Sequence, residues 1–309
     1  MMRTTLLWLS RQQSIFNFVR RNRLARGFAS RFVPGETLDE ALAVTRDLQS
    51  RGIAVTLDLL GESVESPAEA EAARDTYIDI LRAMQREGFE VNASLKPTQM
   101  GLDIDPALYQ ASIRAILDVA RETDGFVRID MESSAYTQRT LDFFEELAPA
   151  FIGQTGVVIQ AALRRSTADI ERLIALGARV RLCKGAYLEP PSVAYPDKKD
   201  VDAHYIRLME RLLTDGNFPG IATHDEAMIE HARRFVAENG IAPDRFEFQM
   251  LYGVRRDLQD ALVREGFRMR IYLPFGSQWY PYLMRRLAER PANITFILGN
   301  VIKEGMSRS

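Results

Sequence analysis

Near the C-terminal end, Tyr282, Arg285, Arg286 and Glu289 stand at i, i+3, i+4 and i+7, which on a helix is one face. Two neighbouring guanidinium groups beside an aromatic ring suit bidentate capture of a planar carboxylate. The same stripe also reads as an ordinary salt-bridged surface, because exposed ion pairs are common. A second concentration of chemistry is Arg179-Val180-Arg181-Leu182-Cys183-Lys184-Gly185-Ala186-Tyr187. As a strand, this run turns Arg181 and Cys183 to one face and Val180, Leu182 and Lys184 to the other. It ends on Gly185, where a planar or phosphate-bearing ligand can approach the backbone closely, and Arg181 offers donors to an electron-rich ring or a phosphate. Cys183 has no second cysteine to pair with and reads as a small interior residue. Thr223-His224-Asp225 closes another apolar run, with His224 either facing a ligand or satisfied inside the protein.

These residues need elements to hold them, and the sequence supplies an alternation. Short apolar or β-branched runs fall at 53–60, 90–96, 127–131, 157–161, 180–184, 221–223, 246–251 and 269–273. Between them lie segments of helical spacing at 67–87, 106–121, 136–147, 167–175, 200–213, 226–238 and 255–264, and another helix follows the last run. Ser66-Pro67 and Asp105-Pro106 read as N-cap and first-turn pairs, while Gly88, Gly125, Gly177, Gly216, Gly240 and Gly266 fall just after helices. Eight strand-helix units with short glycine-containing returns predict an α/β fold of the (βα)8 TIM-barrel type, distorted by extra N-terminal helices. An open doubly wound sheet is the rival, but Leu59-Leu60-Gly61-Glu62-Ser63 after the first strand is not its phosphate loop. In a barrel, polar residues at strand ends point to the catalytic face, and Asp58, Lys96, Asp130, Gln160, Lys184, His224 and Tyr272 all sit there. The proline-containing insert at 188–199 follows the fifth strand, where a lid or a cofactor contact belongs.

Composition narrows the classes. Forty basic against 42 acidic residues give a net charge of −2, which offers no electrostatic case for nucleic acid. One cysteine and histidines at 204, 224 and 231 leave neither a disulfide framework nor a zinc spacing, so no metal is expected. The first 35 residues carry seven arginines and no acid. This start reads as a helical arm, a membrane-surface contact or an import signal. The expected division is an N-terminal helical arm over 1–50 and a catalytic barrel over 51–309.

RFVPGET, ASLKPTQMG, RIDMESS, VIQAAL, RLCKGAY, ATHD, FEFQMLYG and YLPFG followed by YLMRRLAE occur in that order across roughly 30–305. Together they resemble the proline dehydrogenase family, flavoenzymes that oxidise L-proline to 1-pyrroline-5-carboxylate. The resemblance implies a substrate carboxylate held by Arg285, Arg286 and Lys96, with the Tyr282 ring packed on proline. Ala186, Tyr187, Leu251 and Tyr272 would complete the pocket with Asp130, and Glu289 would order the arginine layer. FAD would cross the barrel mouth against Met131, Gln160, Arg181, Cys183, Lys184, Gly185, Ala186, Thr223 and His224. Asp130 and Arg181 are the expected catalytic pair, with Arg181 nearest the flavin N5. Cys183 departs from the valine found in many relatives.

The family further implies electron transfer to a membrane quinone. It also implies a separate pyrroline-5-carboxylate dehydrogenase downstream, as expected of the single-function branch. The expected location is the cytoplasm, peripherally associated with the inner membrane, or alternatively the mitochondrial matrix side. The competing enzyme class is a barrel lyase using Lys96 or Lys184 as a Schiff base. The non-enzyme alternative is a carboxylate-binding barrel without chemistry.

Overall fold

The computed structural model describes residues 30–61 and 63–289, with backbone only for residues 285–289. The Arg-rich start over 1–29 lies outside them. Helix α1 (Leu38–Ser50) begins at a capping box in which Thr37 and Glu40 satisfy each other's backbone amides. Its face of Ala41, Leu42, Thr45 and Leu48 is buried, with Leu38 at the margin. The chain then alternates as the sequence predicts: β1 (Ala54–Leu59), α2 (Pro67–Arg86), β2 (Asn92–Leu95), α3 (Pro106–Glu122), β3 (Phe126–Ile129), α4 (Ser134–Phe151), β4 (Thr155–Gln160) and α5 (Ser166–Ala175). It continues through β5 (Arg179–Cys183), α6 (Lys198–Asp215), β6 (Gly220–Ala222), α7 (Glu226–Glu238), β7 (Glu247–Leu251), α8 (Arg256–Arg264), β8 (Met269–Phe275) and α9 (Trp279–Glu289). Every strand pairs in parallel with its neighbour, and β8 pairs with β1 from Ala54↔Arg270 to Leu59↔Phe275. The sheet is a closed (βα)8 barrel, and the open doubly wound alternative is excluded.

Local chemistry accounts for the boundaries. Ser66 and Asp105 accept hydrogen bonds from Glu69 N and Ala107 N, and a proline occupies the first turn behind each. Gly125 follows α3 as expected, and the left-handed residue of that return is Asp124 (φ 50°), a conformation a short polar side chain tolerates. Helix α4 runs past the expected stop and through Pro149, because Ala148 and Phe151 are buried in the core.

Two departures from a regular barrel matter for the site. Helix α1 packs on β1 and β8, beside the seam where the barrel closes. The helix after β8 instead joins a separate apolar cluster of Val33, Leu60, Trp279, Tyr280, Tyr282, Leu283 and Met284. Leu60 immediately follows β1, so α9 lies at the C-terminal mouth. Trp279 Nε1 donates to Glu36 Oε1 at 3.0 Å, and Gly276 N donates to Gly35 O at 3.2 Å, tying α9 to the segment before α1.

The barrel interior is charged where branched aliphatics usually fill it. Arg128, Glu247 and Arg270 are all at most 2% exposed. Arg270 donates to Glu247 Oε1 at 2.8 Å, Glu90 Oε1 at 2.5 Å and Val55 O at 2.9 Å, while Arg128 donates to Arg179 O at 2.5 Å. Burial by itself would raise the Glu247 carboxyl, but the charge and hydrogen bond of Arg270, with Arg128 and Arg268, bring it down to about 2. A carboxyl so depressed contributes stability that is fully present above its ordinary value of 4.5 and is lost as pH falls towards 2. Glu247→Gln is therefore expected to cost on the order of 3 kcal/mol at neutral pH. Urea melts of this variant should show a flatter loss of stability between about pH 5 and pH 2 than the wild type does. An unchanged acid limb would refute the assignment.

Candidate active site

Alternation along the strands carries polar side chains from this charged interior to the mouth. Arg181 on β5 is 6% exposed and spends its donors on three different strands. Its Nη1 donates to Asp130 Oδ1 at 2.8 Å, Nη2 to Ser94 Oγ at 3.0 Å and Nε to Gln249 Oε1 at 2.5 Å. Its guanidinium carbon lies 5.2 Å from the centroid of the Tyr272 ring. Tyr272 donates its hydroxyl to Asp130 Oδ2 at 2.8 Å, so both oxygens of Asp130 are engaged. Lys96, just past β2, donates to Asp58 Oδ1 at 2.8 Å and stands 3.5 Å from the Tyr272 hydroxyl and 3.9 Å from Asp130 Oδ2.

Asp58 is wholly buried, and its second oxygen has no hydrogen-bond partner. Burial raises its carboxyl, the nearby Asp130 charge adds to that, and Lys96 opposes it. The cluster thus holds two acids and two permanent or potential cations in one network. Its own positive charge is already balanced, so an anionic substrate needs further cations. The backbone of α9 carries Arg285 and Arg286 at the mouth, with Glu289 at its end. Their side chains lie outside the described residues. Tyr282 is 6% exposed within the apolar cluster under α9.

The β4–β7 side of the mouth has a different character. Gln160 donates to Glu132 O at 2.8 Å, and Glu132 in turn accepts from Thr98 N and Oγ1 at 2.9 and 2.7 Å. Met131 is buried beside this pair in sequence, and Cys183 ends β5 half-buried. Gly185 has φ +107°, and a Cβ there would lie 3.1 Å from Gln160 Oε1, so only glycine fits. Ala186 and Tyr187 are exposed. Thr223 Oγ1 accepts from Asp225 N at 3.1 Å, and His224 Nε2 accepts from Leu251 N at 2.9 Å. In the neutral ring the His224 proton is therefore on Nδ1.

The structure brings Lys96, Asp130, Arg181 and Tyr272 into one network, and sets Gln160, Cys183, Gly185, Ala186, Thr223 and His224 along the neighbouring rim. It does not bring the Lys184 side chain to either group. The strand alternation turns Lys184 outward, where it pairs with Asp202 on α6 at 2.5 Å and with Asp225, the N-cap of α7, at 2.7 Å. Burial would raise both acids, but the hydrogen bonds from Lys184 and its charge lower them. The insert after β5 is anchored: Glu189 accepts from the amide of Ser134 at 2.7 Å and from its hydroxyl. Two histidines are accounted for structurally. Nδ1 of buried His204 bonds Ala161 O at 2.7 Å, and Nε2 of His231 pairs with Glu210 at 2.7 Å. Sequence reasoning missed Ser94 and Gln249, although both stand at alternating positions in apolar strands two residues from a charged neighbour.

A buried acid–base cluster at the C-terminal ends of closed barrel strands defines a βα-barrel enzyme, with α9 lying at the same mouth. Residues 41–298 match the proline dehydrogenase family profile. Proline dehydrogenase of Deinococcus radiodurans is 43% identical over 279 residues, covering 89% of this chain and 90% of its own length. Proline dehydrogenase 1 of Bacillus subtilis is 39% identical over 304 residues, covering 98% and 100%. Among solved structures, proline utilization A from Bdellovibrio bacteriovorus superposes with a TM-score of 0.81 at 28% identity, over 89% of this chain and 34% of that one. The chain belongs to the proline dehydrogenase family. Its place is in proline catabolism.

The cluster's energetics are open to measurement. Lys96→Met strands the Asp58 carboxylate without its cation and is expected to cost about 3 kcal/mol in a urea melt at neutral pH. Adding Asp58→Leu to that variant should restore most of the loss. Full stability in Lys96→Met alone would mean that Asp58 is neutral in the folded protein.

Proposed function

We propose that this protein is an FAD-dependent L-proline dehydrogenase that produces 1-pyrroline-5-carboxylate and passes electrons to a membrane quinone, a proline:quinone oxidoreductase. The observation that carries the reading is the Asp130–Arg181–Tyr272–Lys96 network beside an open rim of backbone and neutral polar groups. The rim suits a large planar cofactor. Gly185 keeps the chain flush where a Cβ would press on Gln160, and Gln160, Thr223 and His224 offer neutral polar groups along that edge. Met131, Cys183, Lys184 through its backbone, Gly185 and Ala186 line the same rim, with Arg181 at its boundary with the cluster. FAD, when bound there, supplies a hydride acceptor.

The chain's own residues orient and screen. Lys96 meets the substrate carboxylate from the C-terminal end of β2 while Arg285 and Arg286 close on it from α9, two opposed sources of charge that fix the ring's orientation. Tyr282, Tyr272, Leu251, Ala186 and Tyr187 bound the ring, and Glu289 pairs with the arginine layer to exclude water. Asp130 already accepts from Arg181 and Tyr272, so it acts by holding both groups in place. The Schiff-base reading has less support, since Lys96 and Lys184 are both engaged by carboxylates whereas such a lysine must present a free amine. We place the enzyme in the cytoplasm, peripherally on the inner membrane through its Arg-rich start, or on the mitochondrial matrix side, with a separate dehydrogenase consuming its product.

Purified protein should be yellow, and its flavin absorbance should bleach on anaerobic addition of L-proline. Colourless protein that borohydride traps covalently with substrate would overturn the assignment. Arg285→Met and Arg286→Met are each expected to raise the proline KM by at least about tenfold with a smaller change in kcat, reflecting lost carboxylate binding. Unaltered proline affinity in both variants would remove the clamp.

A further inference from the structure

Arg181 and Gln249 stand on β5 and β7, with β6 between them. Strands lie about 4.8 Å apart, so two side chains separated by a whole strand normally meet only over a small residue. That residue is Gly220. It pairs in register with Arg181 on one side and with Glu247 on the other. A Cβ at this position would lie 2.5 Å from Gln249 Nε2 and 2.9 Å from Gln249 Cδ. Gly220 has no left-handed φ, so space, not backbone freedom, demands glycine.

The amide of Gln249 is fixed from both ends. Its Nε2 donates to Glu247 Oε1 at 2.6 Å, and its Oε1 accepts from Arg181 Nε at 2.5 Å. Flipping the amide would set oxygen against a carboxylate and NH2 against a guanidinium N–H, so one orientation satisfies all partners. Glu247 is itself held by Arg270 at 2.8 Å, and Arg270 is 1% exposed. A continuous line of hydrogen bonds thus runs from the buried ion pair of the barrel floor through Gln249 to the guanidinium at the mouth.

We propose that Gln249, seated over Gly220, is a positioning residue that fixes the plane of the Arg181 guanidinium and thereby tunes the bound flavin. The inference rests on the FAD reading above. Asp130 and Ser94 each hold one terminal nitrogen of Arg181, and Gln249 holds Nε, the third corner of the plane. Without it the guanidinium keeps its charge but loses a fixed direction, and a preorganised donor loses its advantage when it must reorganise during the reaction. Gln249 acts through Arg181, since its side-chain amide is engaged by Arg181 and Glu247.

The test uses full-length, flavin-loaded Gln249→Leu, Gly220→Ala and the double variant, with wild type as control. Gln249→Leu should shift the flavin midpoint potential to more negative values and slow anaerobic flavin reduction at saturating proline about tenfold or more, with proline KM within about threefold of wild type. Gly220→Ala, which pushes the amide aside without removing it, should move both readouts in the same direction by less. In the double variant the Gly220→Ala effect should vanish, because the amide it displaces is gone. Should Gln249→Leu not accumulate as folded protein, the potential and reduction rate of Gly220→Ala decide the matter. Potentials and rates within about twofold equivalence of wild type, with only the thermal midpoint lowered, would make Gln249 merely structural and overturn the proposal. Additive effects in the double variant would overturn it too. A wild-type chain whose flavin proline does not bleach would instead sink the FAD reading itself.

Discussion

A guanidinium inside a barrel must find acceptors for its donors, or its burial costs more than the fold can return. Arg181 finds them on β2, on β7 and just past β3 at once, and this requirement shapes much of the interior. It places Ser94 and Gln249 at inward positions, and it leaves β6 without a side chain where the others cross. It also engages Asp130, whose remaining oxygen then orders Tyr272. The charged floor of Arg128, Glu247 and Arg270 belongs to the same system, because Gln249 joins it to Arg181.

This economy of charge explains why the site is divided between the barrel and α9. Within the barrel, Lys96 is matched by Asp58 and Arg181 by Asp130. A cluster balanced in this way has little surplus attraction for an anion. In the proposed reading, the helix after β8 supplies that surplus from outside the balanced interior.

Much of this was legible in the sequence because local rules and tertiary structure agree. The eight strands are short apolar runs, most of them preceded by a return at glycine, and all of them form where the period places them. The strand-end rule found Asp58, Lys96, Asp130 and Tyr272 before their distances were known. The alternation that set Arg181 and Lys184 on opposite faces also held, and it explains why the Lys184 side chain braces α6 and α7. Ser94 and Gln249 were not legible, since a neutral polar residue in a strand gives no sign of which buried cation it serves. Nor was the displacement of α9. Helical spacing states which face is apolar, but not which partner that face will meet.

The tie between α9 and the segment before α1 has a consequence for biosynthesis. Residues from opposite ends of the described chain, Glu36 with Trp279 and Val33 in one apolar cluster with α9, come together only after β8 has been made. The closed sheet, with its balanced interior, is complete before this junction forms. The segment at 33–36 therefore spends the synthesis of all eight strands without its α9 partners, so the junction at the mouth joins residues made far apart in time.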